Sequence, residues 1–184
     1  MKIERSSGIL LHPTSLPGKY GIGSLGKSAF GFVDFLHKAG QKLWQVLPMG
    51  HTGYGDSPYQ CFSVFAGNPI IIDIDLLFKD GFLKRRDFLE MPTFSEEKVN
   101  YGKVIYFKEK MLKLAFQRFD EKKNYNTVDY QVFVNNNQEW LKEYAIFIAL
   151  KDRFGGKPWW EWPEEFKLRP VSYTHLTLPT IYSV

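Results

Sequence analysis

The sequence predicts an α/β fold: parallel strands and a connecting helix in the first 78 residues, then a mostly helical stretch. Three observations carry this. Two short apolar segments flank an amphipathic helical pattern within the first 47 residues. A long loop rich in glycine and proline follows the second segment. From about Leu77 onward the apolar residues adopt helical spacing. With 184 residues the chain can bury a sizeable core, and a hydrophobic content of 44% sets it among globular rather than disordered sequences.

In chain order, Ile9-Leu-Leu11 reads as a short buried strand closed by Pro13, and a Gly/Pro-rich loop runs from His12 to Gly26. A helix is expected over about Ser28–Ala39, because Phe32, Phe35, Leu36 and Ala39 fall on one stripe and Gly40 sits at the position that ends a helix. Leu43–Leu47 is the second strand, stopped by Pro48. Strand, helix and strand in so short a span form a βαβ unit, so the two strands are expected to be parallel. Pro48–Asn68 then has little periodicity, and Pro69–Ile74 is a third strand candidate. Tyr101–Phe119 reads as a helix with Leu112, Ala115, Phe116 and Phe119 on its stripe. Asn136 and Glu139 resemble a capping box for a helix bearing Trp140, Tyr144, Phe147 and Ile148 that ends at Gly155-Gly156. No internal repeat is evident in residues 1–170. The pattern is a barrel-like beginning followed by a mostly helical insertion.

Composition narrows the partners. The formal net charge is +4, and the basic run Lys84-Arg-Arg86 has Asp87 and Glu90 beside it, which suits a solvated face better than a nucleic-acid patch. Cys61 is the single cysteine, so no internal disulfide can form, as suits a reducing cytosol. Gly8–Leu11 is too short for a signal-peptide core, and no stretch approaches the ~20 apolar residues that cross a bilayer. The expectation is a cytoplasmic protein with neither a membrane nor a nucleic-acid partner. The last 14 residues, Val171–Val184, carry no Asp, Glu, Lys or Arg. They read either as a Thr-rich strand or, because Val171–Thr180 resembles a translated transposase-type sequencing adapter, as a non-native tail.

Two motifs point to nucleotides. Gly21-Ile-Gly-Ser-Leu-Gly-Lys-Ser28 fits a Walker A loop and also a G-x-G-x-x-G fingerprint, and Ile70-Ile-Ile-Asp73 could pass as the partner strand of a P-loop enzyme. Both motifs need the first glycine to follow directly from a buried strand, so that loop amides and helix dipole face a phosphate. Here nine residues, His12–Tyr20, intervene with two prolines among them, and the second strand holds no acidic residue to meet a ribose. The plainer reading is a tight glycine loop. Asp73-Ile-Asp75 has the D-x-D spacing of some metal-dependent glycosyltransferases, against which stands a strand end feeding a helix with Asp75 near its N-terminus. His12, His37 and His51 lack metal-ligand spacing, and no metal site is expected.

Gly53-Tyr-Gly-Asp-Ser-Pro-Tyr-Gln60 has a different character. It follows the second strand, at the end of a parallel sheet where active sites are built. It sets Tyr54 and Tyr59 beside Asp56, Ser57 and Gln60. A pyranose offers an apolar face and a rim of hydroxyls, which an aromatic platform with short polar neighbours would fit. A packed loop with buried tyrosines fits the same residues, and chemistry alone leaves both readings open.

Longer motifs bear on the choice. Ser7–Pro17, Tyr20–Gly23, Ala39–Pro48 and Thr52–Gln60 resemble, in this order, the opening of the 4-α-glucanotransferase family, also called amylomaltase or disproportionating enzyme. Phe65–Pro69, Asp73–Leu76, Trp140–Ala149 and Phe154–Trp159 continue the likeness, which covers essentially all of residues 1–170. The resemblance implies the N-terminal part of a (β/α)8 TIM barrel with a mostly helical insertion subdomain, truncated. On that basis residues 1–78 hold the first β/α units and 79–170 the insertion, with 171–184 left as the adapter-like tail. It implies a cofactor-free enzyme acting on α-1,4-glucan oligosaccharides (maltooligosaccharides) by a retaining double displacement. The catalytic carboxylates of that pattern belong to later strands, so no catalytic residue is assigned in this chain, which is expected to be inactive alone. By the matched motif Tyr59 would border a glucose ring, Asp56 and Ser57 would lie beside it, and Tyr54 would serve an outer contact. A P-loop nucleotide enzyme and a non-catalytic glucan-binding module are the alternatives.

Overall fold

A computed structural model describes residues 5–167, so the tail and its adapter reading lie outside the described residues. The described chain forms two units, which divide between Lys123 and Asn124. The division expected at 78/79 falls inside the first of them.

The βαβ unit is present. Strand β1 (Gly8–Leu10) pairs in parallel with β2 (Leu43–Gln45), with Gly8 opposite Leu43, Ile9 opposite Trp44 and Leu10 opposite Gln45. Helix α1 (Lys27–Lys38) connects them. Past its last residues Gly40 adopts φ +70°, and the bonds Gly40 N–H to His37 O (3.0 Å) and Gln41 N–H to Leu36 O (2.9 Å) close a Schellman turn, as the sequence anticipates. Of the expected stripe, Leu36 is buried and Phe32 meets the Trp44 ring edge-on at 5.0 Å, while Phe35 stays exposed. The strands differ from expectation: Leu10 and Leu43 are 56% and 53% exposed. A parallel sheet is buried only where both of its faces are covered, and this unit places its core elsewhere.

That core forms around α3 (Tyr101–Glu121), whose N-terminus Asn100 caps by accepting from Lys103 N–H at 3.0 Å. Its buried stripe is Val104, Phe107, Lys108, Met111 and Ala115, about one residue round from the expected one, so that Phe116 and Phe119 are half-buried. A lysine in the middle of the stripe hides the true face from a reading by hydrophobicity. Tyr20, Ile74, Leu83, Phe107, Met111 and Ala115 pack together, and Ile22, Ile70, Ile71 and Val104 form a second cluster.

The third expected strand is absent at Pro69–Ile74. Pro69–Ile71 is a single 3-10 turn, capped by Asn68 Oδ1 accepting from Ile70 N–H at 3.1 Å. Asp73 then caps α2 (Ile74–Lys79), its Oδ1 accepting from Leu76 N–H at 2.9 Å. A proline preset for a turn and two capping side chains outweigh the strand preference of three isoleucines. Beyond α2, Lys84, Arg85 and Arg86 are solvent-exposed, as expected. Asp87 turns inward to a two-pronged pair with Arg118 (2.6 and 2.8 Å), and the Arg118 guanidinium beside it holds its carboxyl below the usual range.

In the second unit α4 (Val128–Asn136), α5 (Leu141–Arg153) and α6 (Glu164–Lys167) follow one another. Asn136 ends α4 and does not open a capping box. The turn belongs to Asn137, whose Oδ1 accepts from Trp140 Nε1 at 3.1 Å and whose Nδ2 donates to Phe133 O at 2.7 Å. Gly155 and Gly156 do end α5, both at positive φ. Trp162 is buried against Phe147 and Phe154. Among the described residues no helix is long and apolar enough to cross a membrane.

Lys108 is fully buried, and its Nζ donates to Ile70 O (2.5 Å) and Ile72 O (2.9 Å). Leaving either carbonyl unpaired in this core would cost about 1–3 kcal/mol. Burial pushes the ammonium down to about 8, against the pull of the Asp73 carboxylate. An unfolded lysine titrates near 10.4, so between pH 8 and that value the unfolded chain binds more protons and folding stability rises with pH. Above about pH 10 the trend reverses, because burial raises the Tyr20 and Tyr144 hydroxyls and only the unfolded chain then ionises them. Urea midpoints measured from pH 7 to 10 are expected to climb between pH 8 and 10, and Lys108→Met should flatten that climb; equal slopes in both proteins would show that Lys108 does not titrate in this way.

Candidate functional site

The long loop after β2 is a hydrogen-bonded hairpin. Asn68 N–H donates to Met49 O at 2.7 Å, Gly50 bridges Gly67, Thr52 bridges Cys61, Phe62 N–H donates to His51 O at 3.0 Å, and Gly53 N–H donates to Gln60 O at 3.0 Å. Its tip is a 3-10 turn at Tyr54–Asp56, where Gly55 (φ 78°) and Asp56 (φ 53°) both enter the left-handed region. Glycine takes that conformation freely, and aspartate tolerates it better than most residues. Gln60 N–H to Ser57 O (3.0 Å) and Tyr59 N–H to Ser57 Oγ (3.4 Å) complete the tip.

This arrangement brings Asp56, Ser57 and Tyr59 onto one tip, with Asp56 and Ser57 half-buried. Tyr59 is 71% exposed, so it is not the buried tyrosine that a packed loop would hold. The Tyr54 side chain lies outside what is described. An exposed ring beside a hydroxyl and a carboxylate can stack on and hydrogen-bond a sugar.

A residue that the metal-spacing test passes over stands at the equivalent end of β1. His12 Nδ1 contacts Thr14 Oγ1 at 2.7 Å and accepts from Thr14 N–H at 3.4 Å, while its Nε2 is buried without a partner. The signal available in the sequence was position, one residue past the Ile9–Leu11 strand, rather than spacing to other histidines. His51 sits edge-on to Phe62 at 5.3 Å, and His37 lies in the last turn of α1. Among the described residues no group of three or more His, Cys, Asp or Glu gathers to hold a metal ion.

The nucleotide reading fails on geometry. The N-terminus of α1 faces Asp73: a Cβ added at Gly26 would lie 1.9 Å from Asp73 Oδ2. A carboxylate therefore occupies the place where a phosphate would have to sit. Ser24 Oγ donates to that same oxygen at 2.6 Å, Ser28 Oγ donates to Pro17 O at 2.8 Å, and Lys27 is exposed. The D-x-D pair is likewise engaged within the protein. Asp73 straps the loop to α2, and Asp75, in the first turn of α2, accepts from Tyr20 Oη at 2.5 Å.

Comparison with known proteins agrees. Residues 11–176 match the 4-alpha-glucanotransferase family. The chain is 47% identical over 170 residues to a 4-alpha-glucanotransferase of Thermus thermophilus, covering 92% of this chain and 33% of that protein. A 4-alpha-glucanotransferase of Clostridium butyricum is 46% identical over 161 residues, 86% of this chain and 32% of that protein. Among solved structures, amylomaltase from Streptococcus agalactiae in complex with acarbose matches with a TM-score of 0.77 and 37% identity, over 88% of this chain and 32% of that one. The chain thus spans about a third of the length of the relatives it matches.

Because Gly26 leaves room for the Asp73 carboxylate, Gly26→Ala is expected to destabilise the chain by about 1–3 kcal/mol, whereas Lys27→Ala should change stability by less than about 0.5 kcal/mol. Urea unfolding of the two variants checks this, and a neutral Gly26→Ala would contradict the close approach.

Proposed function

The chain belongs to the 4-alpha-glucanotransferase family, and we propose that it is the amino-terminal part of an enzyme that moves α-1,4-glucan segments between maltooligosaccharide or glucose acceptors. In this reading β1–α1–β2 is the first unit of a (β/α)8 barrel, working in the cytoplasm. The loops leaving the C-terminal ends of its two strands, at His12 and at the 49–68 hairpin, face the substrate, as such loops do in barrels of this kind. The parallel pairing of β1 with β2 supports the reading.

One observation carries it: a tyrosine ring left bare on a hydrogen-bonded tip, in a chain of this family. The solved relative carries acarbose, a glucan analogue, which supports a glucan as the ligand class. Tyr59 would offer its face to a glucose ring, Ser57 and Asp56 would bond its hydroxyls, and Tyr54 would contact the glucan further out. The bond-making chemistry belongs to two carboxyl groups ~5–5.5 Å apart, supplied by later strands. One attacks the anomeric carbon while the other protonates the leaving sugar. The second then takes the proton of an acceptor hydroxyl as that oxygen displaces the enzyme. The residues present here would bind and orient the glucan.

With the chain completed to the length of its relatives, Tyr59→Ala is expected to lower kcat/KM for glucose release from maltotriose about tenfold, on the order of 1.4 kcal/mol of transition-state binding. Its unfolding midpoint should stay put, as the ring is exposed. Unchanged kinetics would remove Tyr59 from the site.

A further inference from the structure

Every other fully buried contact of α3 is apolar, and a methionine or leucine at position 108 would continue the stripe of Val104, Phe107, Met111 and Ala115. A lysine stands there instead, although burying an amine is unfavourable unless its donors are used. They are used on backbone: Ile70 O and Ile72 O accept from Nζ, and Ile71 O between them accepts from Leu25 N–H at 2.9 Å. All three carbonyls of the turn that follows the hairpin are thereby fixed. The amides of the same turn bond back to Asn68 and Pro69: Ile70 N–H to Asn68 Oδ1, Ile71 N–H to Asn68 O and Ile72 N–H to Pro69 O. Asn68, itself buried, donates its own N–H to Met49 O and so closes the base of the hairpin next to the Gly50–Gly67 bridge.

We propose that Lys108 is a positioning residue for the sugar-facing hairpin, holding its returning strand in place through the carbonyls of Ile70 and Ile72. The inference rests on the reading of that hairpin as one wall of a glucan cleft. Lys108 touches no substrate. It acts by setting where the base lies, and the cross-strand bonds at His51–Phe62 and Gly53–Gln60 carry that placement to Tyr59. An apolar residue could pack in its place, but the turn would then have to rotate two carbonyls toward water, releasing the Asn68 bonds that close the hairpin.

The test uses the chain completed to the length of its relatives, with maltotriose as substrate and Asp87→Asn as a comparator. That variant weakens the pair with Arg118, on α3 but away from the hairpin base. Lys108→Met is expected to raise KM about fivefold with kcat within twofold, and to speed hydrogen exchange of amides in residues 49–68 at least tenfold. Asp87→Asn should leave both as in the unaltered protein. A folded Lys108→Met with unaltered KM and exchange would overturn the proposal, and so would an equal rise in KM in both variants. If Lys108→Met does not fold, Lys108→Gln, which keeps an amide donor for one carbonyl, should show a smaller shift in the same direction, and values matching the unaltered protein there would overturn it equally. Should Tyr59→Ala impair turnover while neither Lys108 variant does, the positioning role fails and the glucan reading stands; if Tyr59→Ala is also silent, both fail.

Discussion

Buried backbone carbonyls must find donors, and at the turn that follows the hairpin one amine serves two of them. Lys108 reaches from the middle of the long helix to the turn at Pro69–Ile71 and satisfies the carbonyls of Ile70 and of Ile72 just after it. Around this contact the unit assembles its core: Tyr20 and Ile22 from the glycine loop, Ile70, Ile71 and Ile74 from the turn and α2, and the apolar stripe of α3. The βαβ unit stands outside that core, with Leu10 and Leu43 bare. The first unit is therefore held together by a helix far along the sequence rather than by its sheet.

Asp73 is the second tie, and its carboxylate stands at the helix N-terminus where a phosphate-loop reading would put a phosphate. One carboxylate oxygen caps α2 and the other holds Ser24, at a spot open only because Gly26 has no side chain. The same residues that mimic a nucleotide motif are thus the joint between the glycine loop and the rest of the unit.

What the sequence made legible follows from how local the deciding interactions are. The parallel pair, α1 and its Gly40 ending rest on periodicity and one glycine, and they were readable. The segment at Tyr54–Asp56 was readable as an unusual loop, and the family likeness attached sugar to it, whereas the exposure of Tyr59 could come only from the fold. Ile70–Ile72 reads as a strand because three β-branched residues say so, yet Asn68, Pro69 and Asp73 impose a turn. The face of α3 was misjudged by about one residue because its central buried position is a lysine, whose partners lie 36 and 38 residues away. Likewise Asn137, not Asn136, shapes the turn before α5, a choice of one position that no local pattern decides. The interest of His12 lies in an unpaired nitrogen near a strand end, which spacing between histidines does not reveal.

The central claim is that the hairpin tip presents Tyr59 to a glucan. A crystal structure of the completed enzyme with a bound maltooligosaccharide tests it most directly. The Tyr59 ring is expected in van der Waals contact with a glucose face, roughly 3.5–4.0 Å between carbon atoms, with Ser57 or Asp56 in hydrogen-bonding reach of that sugar. A glucan bound in the barrel with the 54–59 tip turned away from it would contradict the account.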